Sequence, residues 1–192
     1  MGVVAIPTLW DRRPAPDIPR LTAKYGPTPS SSEVQSYLVG LGSDPKVMAR
    51  KPNNYKSYTY YHIFNRAHNK KVLFRQDRDK ATFINYLFFY SKKFNIKVDS
   101  YCLMRTHFHL ILKTNEYPKQ LSRMMQAFMT KFCIYINKKY HMVGAVFQGR
   151  YQKREIKDSK DLTTVRRYLQ NNPVKTGYVE RPGDYRWMRI KK

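Results

Sequence analysis

The amino-acid sequence predicts an α+β fold, a sandwich in which helices pack on one face of a central antiparallel sheet. Three observations support this prediction. Short runs of β-branched and aromatic residues alternate with longer segments whose apolar residues recur at helical spacing. The chain has 192 residues, of which 42% are hydrophobic and 15% aromatic, enough to bury a core. No stretch approaches about 18 uninterrupted apolar residues, so a membrane-spanning helix is not expected.

The first half of the predicted domain contains a strand, a helix and a pair of strands. Residues 55–65 are aromatic and β-branched, which is typical of a strand. Residues 77–94 repeat apolar side chains at helical spacing and end in basic residues, which indicates a helix. Two further strand-like runs, 96–104 and 108–113, are separated by a short turn at Arg105, so we expect an antiparallel pair.

The second half contains a long helix, an extended segment and a last helix. Residues 118–140 carry one apolar stripe, which is typical of an amphipathic helix. Residues 144–157 are interrupted by glycine and predict an extended segment. An Asp-x-x-Asp capping pattern begins at Asp158 and predicts a helix over 158–171, which stops because the residue before Pro173 disfavours helical backbone. The predicted order is therefore β-α-β-β-α-(β)-α.

Proline content and charge divide the chain into an arm, residues 1–50, and a domain, residues 51–192. The arm holds seven of the eleven prolines, so we expect it to be largely irregular. It carries six Lys and Arg against four Asp and Glu, a net charge of +2. The domain carries 31 against nine, a net of +22 of the total +24. So large an excess favours a polyanionic partner, and nucleic acid is the first candidate.

Cysteine content and the N-terminus indicate the cellular compartment. Cys102 and Cys133 both lie in apolar sequence, which predicts neither a disulfide framework nor a cysteine-based zinc site and fits a reducing compartment. The N-terminus lacks the charged and apolar regions of a secretory signal. A cytoplasmic protein without a membrane partner is expected.

The most specific local feature is the His107-Phe108-His109 triplet at the start of a predicted strand. Side chains alternate along a strand, so both histidines project from one face while Phe108 enters the core. Two imidazoles about 7 Å apart on one face are well placed to hold a divalent metal. The alternative is a pair of exposed histidines at a strand start.

The end of the last helix offers two partners for such a site. Tyr168 and Asn172 are four residues apart and share one helical face, so a phenol and an amide oxygen can reach the same place. The alternative is that Tyr168 is an aromatic residue at the core boundary and Asn172 a helix cap. Spacing does not decide between these two interpretations.

Four motifs follow one another in the domain: YHIFNR at 61–66, YCLMRTHFHL at 101–110, FQGRY at 147–151 and YLQNNPVKTGYV at 168–179. In this order and spacing the chain resembles the single-tyrosine HUH transposases of the IS200-like family, most closely the REP-associated tyrosine transposases of bacteria. The resemblance spans about 70% of the chain. Relatives commonly have Pro-Asn where this chain has Arg-Thr before His107, and the arm has no counterpart.

The resemblance implies a ferredoxin-like fold and a metal-dependent endonuclease and strand transferase acting on single-stranded DNA beside a hairpin. It implies that His107, His109 and Asn172 hold Mg²⁺ or Mn²⁺. It also implies that Tyr168 is the nucleophile and forms a 5′-phosphotyrosine. Relatives act as homodimers or as monomers, and a monomer is favoured here. The expected location is the bacterial cytoplasm, in association with the nucleoid.

Basic side chains of the domain are candidates for contacts to DNA phosphates, and aromatic residues between them can stack bases. The candidates are Lys70, Lys71, Lys92, Lys93, Lys131, Arg150, Lys153, Arg154, Arg166 and Arg167. Each basic pair taken alone is equally typical of a solvated surface. Two other functions remain open: a catalytically silent, domesticated protein that binds hairpin DNA or RNA, and a ribosome-associated RNA-binding protein.

Overall fold

The computed structural model describes residues 54–191, so the predicted arm lies outside the described residues. The strands are β1 (Tyr60–Arg66), β2 (Lys97–Leu103), β3 (His107–Lys113), β4 (Gln152–Ile156) and β5 (Met188–Arg189). The helices are α1 (Asp77–Lys93), α2 (Lys119–Lys139) and α3 (Ser159–Lys175). Short 3-10 turns occupy His68–Lys70 and Pro182–Asp184. Within this part of the chain, no helix is long and apolar enough to cross a bilayer.

The five strands form one antiparallel sheet in the order β4-β1-β3-β2-β5. The first six elements run β1-α1-β2-β3-α2-β4, and the first four strands lie in the order 4-1-3-2, which is the ferredoxin-like arrangement. The predicted α+β class and antiparallel sheet are therefore confirmed. β1 starts later than predicted because Tyr58 has a φ of 52°, a left-handed conformation that interrupts extended backbone.

The two faces of the sheet are covered by different helices. One face packs against α1 and α2, where Phe108 and Leu110 of β3 share a buried cluster with Phe83 and Phe128. The opposite face packs against α3 through a smaller cluster that includes Ile111, with Val165 and Leu169 of the helix, Cys102, Met104 and Ile156. The expectation that all helices lie on one face is thus wrong for α3. Helical spacing identifies an apolar stripe but not the sheet face that it covers.

The predicted end of the last helix is also wrong, because α3 continues through Asn172 and Pro173. Proline removes one backbone donor, and here it lies buried inside the helix. The helix ends instead at Lys175, two residues before Gly177, whose φ of +70° is the left-handed conformation that glycine favours. Gly177 N donates to Val174 O and Tyr178 N to Pro173 O, each at 2.9 Å, which is the Schellman arrangement.

Two ion pairs attach α3 to β4 and β2, the strands that flank the central strands β1 and β3. At its first turn, Arg154 of β4 donates to both Asp161 carboxylate oxygens, at 3.0 and 2.7 Å. The predicted capping pattern is confirmed there, since Asp161 N donates to the Asp158 carboxylate. Farther along, Arg166 donates to both oxygens of Asp99, at 3.0 and 2.6 Å. α3 is therefore held by β4 and β2 as well as by apolar contacts.

A buried carboxylate joins the start of α1 to the end of α2. The Asp79 side chain is fully buried and accepts hydrogen bonds from Lys139 Nζ and Tyr140 Oη, both at 2.6 Å, and from Tyr135 Oη at 3.1 Å. It also accepts from the Gln76 backbone N at 2.9 Å. Burial acts to raise the pKa of Asp79, but these hydrogen bonds outweigh burial and hold that pKa below its usual range.

Candidate active site

The histidines of β3 lie on the face of the sheet that α3 covers. The ring centroids of His107 and His109 are 5.1 Å apart, while Phe108 between them is buried in the core of the opposite face. The predicted alternation along this strand is therefore what the structure shows. His109 is 6% exposed, so its ring is enclosed by the sheet and the helix.

Tyr168 brings the helix to these rings. The centroid of the Tyr168 ring lies 5.4 Å from that of His109, with the two planes nearly perpendicular. Tyr168 also packs at the edge of the apolar cluster beneath α3. Asn172 follows one turn later and is buried, inside the helix rather than at a cap. The structure thus brings Tyr168 to the histidines and keeps Asn172 on the same stretch of helix.

A third histidine belongs to this site and was missed from the sequence. His62 of β1 is buried, and its Nε2 lies 3.0 Å from Nδ1 of His109. Its ring is also 6.1 Å from that of Tyr168, centroid to centroid. The signal lay in the first motif, where Tyr61 and Ile63 alternate with His62. This alternation alone does not place His62 beside His109. That placement depends on the pairing of β1 with β3, which spacing along the chain does not reveal.

Burial keeps all three imidazoles neutral at physiological pH. It lowers the pKa of His62 to about 3, with the charge of Arg154 acting in the same direction. It lowers the pKa of His107 to about 4, again with help from a neighbouring cation, Arg66. The pKa of His109 is also well below its usual value, through burial and the two other rings. Neutral imidazole is the form that binds a metal.

The hydrogen bonds of the histidines fit a metal role. Nδ1 of His109 is taken by His62, and Nδ1 of His107 lies 3.1 Å from Thr106 Oγ1. Nε2 of each ring is then the nitrogen left to bind a cation, and a partner on the other nitrogen is typical of metal-binding histidines. Among residues 54–191, no three or more His, Cys, Asp and Glu side chains are grouped as a metal site.

Two other tyrosines of the domain, Tyr135 and Tyr151, form hydrogen bonds away from the histidines. Tyr135 Oη donates to Asp79, on the other side of the sheet. Tyr151 Oη lies 2.9 Å from Tyr55 Oη, and burial raises the pKa of Tyr55. Of these three tyrosines, Tyr168 is the one whose ring contacts the histidines.

The predicted phosphate contacts are distributed unevenly around this site. Lys92 and Lys93 end α1, which places them at the sheet end opposite His107, and Lys131 lies on α2, over the other face. Arg154 and Arg166 are used in the ion pairs of α3. The DNA-contact role of all five remains a prediction.

Of the remaining predicted cations, four belong to chain segments that adjoin the site, and Lys153 does not. Lys70 and Lys71 follow β1, Arg150 precedes β4, and Arg167 is an exposed neighbour of Tyr168. Lys153 of β4 faces the other side, where its Nζ donates to Asn54 O. Two cations at this end were not singled out from the sequence: Arg66, paired in register with His107, and Arg105, in the turn before it.

Comparisons with known proteins show which family and fold the chain resembles. The family model described as "Transposase IS200 like" matches residues 55–172. A Haemophilus influenzae protein described as a REP-associated tyrosine transposase is 30% identical over 122 residues, which cover 55% of this chain and 69% of that protein.

Two solved structures are also similar. One is a REP-associated tyrosine transposase bound to a REP hairpin, with a TM-score of 0.64 and 16% identity, over 73% of this chain and 82% of that one. The other, described as a transposase from Deinococcus radiodurans, has a TM-score of 0.44 and 14% identity, over 64% and 97%. The first shares the fold described above. With the family model matching most of the sheet and the candidate site, the chain belongs to the IS200-like transposase family.

Proposed function

We propose that this protein cleaves and rejoins single-stranded DNA beside a hairpin, as a metal-dependent endonuclease and strand transferase with Tyr168 as nucleophile. The observation that supports it most directly is the 5.4 Å separation between the rings of Tyr168 and His109, with His107 5.1 Å farther on. Membership of a transposase family supports a DNA-processing enzyme. A similar structure that is bound to a REP hairpin supports hairpin DNA as the substrate.

The proposed reaction is a transesterification at phosphorus. The Tyr168 phenol gives its proton to solvent as its oxygen forms a bond to the phosphorus. The bond between phosphorus and the 3′ oxygen breaks, and that oxygen takes up a proton to leave a 3′-OH. The other strand end remains attached as a 5′-phosphotyrosine. A 3′-OH can later attack this ester in the reverse sense, so the strand is rejoined without another energy source.

His107 and His109, through Nε2, and Asn172, through its amide oxygen, would hold the Mg²⁺ or Mn²⁺ ion. When bound, the ion supplies positive charge that stabilises the charge developing on the phosphate oxygens. The protein keeps both imidazoles neutral by burial and fixes each ring through its Nδ1 contact. His62 is a positioning residue in this scheme, because it acts through His109.

We further propose that the protein acts as a monomer. The pairs Arg154–Asp161 and Arg166–Asp99 tie α3 to strands of its own chain. Tyr168 therefore faces the histidines of the same chain, and no second copy is needed to complete the site.

Incubation with Mn²⁺ and labelled single-stranded DNA that carries a hairpin tests the reaction. The expected product is a protein–DNA adduct that survives denaturation. Tyr168→Phe should abolish the adduct, and so should the double substitution His107→Ala, His109→Ala. Tyr151→Phe is the matched control, because it removes a phenol that hydrogen-bonds to Tyr55 away from the histidines, and it should retain the adduct.

Four outcomes would contradict the proposal. If Tyr168→Phe forms as much adduct as the wild type, Tyr168 is not the nucleophile. If the histidine variant forms as much adduct as the wild type, the proposed metal site is wrong. Tight binding of hairpin DNA by the wild type with no adduct would favour the catalytically silent binder. A better adduct with RNA than with DNA would reverse the choice of substrate.

A further inference from the structure

Tyr178 is an exposed aromatic residue that neither the core nor the proposed reaction uses. It is 44% exposed, and its ring stacks on that of Tyr185, with centroids 5.9 Å apart and planes 27° apart. Stacking on a second ring covers one side of Tyr178 and leaves part of it open to solvent. An exposed ring held in this way resembles the aromatic platforms on which proteins stack unpaired bases.

Several contacts fix Tyr178 at the end of the sheet where His107 lies. The turn that ends α3 holds its backbone, through the 2.9 Å hydrogen bond from Tyr178 N to Pro173 O. Its supporting ring is held by a 2.6 Å hydrogen bond from Tyr185 Oη to Leu103 O, at the last residue of β2. Met104 N donates to His107 O across the turn that follows, so Leu103 lies close to the start of β3.

The hydroxyl of Tyr178 lies beside the same turn. Burial raises the pKa of this hydroxyl, while the charge and the backbone N–H of Arg105 act in the opposite direction, as groups close to it. Tyr185 belongs to the apolar cluster on the α3 face, together with Tyr168. Tyr178 is therefore on the face and at the sheet end of the candidate site, next to an exposed arginine.

We propose that Tyr178 stacks an unpaired nucleobase of the DNA strand that passes Tyr168, with Arg105 contacting an adjacent phosphate. This inference rests on the proposed function, because it requires a single-stranded substrate. Every base has a π face, so the platform selects unpaired over paired DNA and depends little on base identity. Because Tyr178 is already held at its backbone and ring, little side-chain freedom is lost on binding.

Binding measured without divalent metal tests the platform separately from cleavage. The assay is fluorescence anisotropy with a labelled hairpin that has a single-stranded flank, in EDTA. Tyr178→Ala should weaken binding by about 5- to 150-fold, the usual range for loss of one stacked base. Tyr178→Trp should restore it. The matched control is Tyr117→Ala, since Tyr117 is 62% exposed and lies beyond the end of β3 opposite His107.

An abasic scan of the flank identifies the stacked base. At one position of the flank, removing the base should weaken binding by the wild type as much as Tyr178→Ala weakens binding of the intact DNA. The same abasic DNA should bind Tyr178→Ala no more weakly than the intact DNA does. Equal affinities of Tyr178→Ala and Tyr117→Ala would overturn the platform, as would abasic effects that are the same in wild type and Tyr178→Ala.

The result also separates this inference from the proposed function. A wild type that forms the covalent adduct while Tyr178→Ala binds normally would overturn the platform alone. A wild type that binds no hairpin DNA would overturn both proposals. If Tyr178→Ala unfolds at the same temperature as the wild type, its weaker DNA binding does not result from a destabilised fold.

Discussion

Removing Arg166 from its ion pair with Asp99 should cost the fold several kcal/mol, although Arg166 is one of the cations predicted to contact DNA. The register between β2 and β3 shifts between Val98 and Ser100, a bulge that re-aims Asp99. The Asp99 side chain is fully buried and that of Arg166 is 21% exposed. Ser100 Oγ also donates to Asp99, at 2.7 Å. Arg166→Met would therefore leave a buried carboxylate with one neutral donor.

Breaking a buried pair from one side costs about 3–5 kcal/mol. The partial exposure of Arg166 favours the lower end of that range, because water can reach part of the vacated space. For a domain of this size, each kcal/mol lowers Tm by about 3 °C, so the expected fall is roughly 10 °C. Thermal unfolding followed by circular dichroism measures it. The double variant Asp99→Leu, Arg166→Met should recover to within about 1 kcal/mol of the wild type, since no charge is left unpaired.

DNA binding at several salt concentrations distinguishes this role from a phosphate contact. Loss of one phosphate contact lowers the slope of log K against log salt by about 1. Arg166→Met should leave the slope unchanged. Arg167→Met, at the exposed neighbouring position, should lower the slope and leave Tm unchanged. An Arg166→Met protein that is as stable as the wild type but has a reduced slope would refute the reasoning.

Three further predictions concern other contacts. His62→Gln should weaken Mn²⁺ binding by about 10- to 100-fold in calorimetry, because His109 loses the ring that orients it, and unchanged affinity would contradict the positioning role. The pKa of Asp79 is lowered on folding, so its contribution to stability is present above about pH 4 and is lost as pH falls through the folded value. In urea unfolding, the free energy of unfolding should therefore fall less on acidification in Asp79→Asn than in wild type. Equal falls would exclude the pairing of Asp79 with Lys139 as the cause. Gly177→Ala should cost about 1–2 kcal/mol in urea unfolding through backbone strain alone, since an added Cβ there meets nothing within 4 Å, and an unchanged midpoint would argue against its left-handed conformation.

Features that depend on residues close in sequence, including the pairing of β2 with β3, could be predicted from the sequence, and features that depend on pairing between distant strands could not. The alternation of His107 and His109 follows from strand geometry alone, and the structure shows it. The contact between His62 and His109 depends on the pairing of β1 with β3, whose strands are far apart in sequence. Pro173 predicts the end of α3, but the proline lies inside the helix and the turn at Gly177 ends it.

The net charge of the domain indicates the kind of partner, whereas the sequence does not show which group each basic side chain contacts. The net charge of +22 on residues 51–192 indicates a polyanionic partner. It cannot show that Arg154 and Arg166 face carboxylates of the same chain, because those carboxylates belong to α3 and to a bulge in β2.

The unequal covering of the two sheet faces has a consequence for how the protein opens. The face under α1 and α2 holds a large aromatic and aliphatic cluster, whereas α3 rests on a small one and on two ion pairs. Segments with less buried apolar surface detach at a lower free energy than the rest of a domain. In native-state hydrogen exchange, the amides of α3 should therefore exchange ahead of those of β1 and β3. The helix that carries the proposed nucleophile would then be able to lift from the sheet while the rest of the domain stays folded. In the proposed reaction, a DNA strand joined to Tyr168 would move with it.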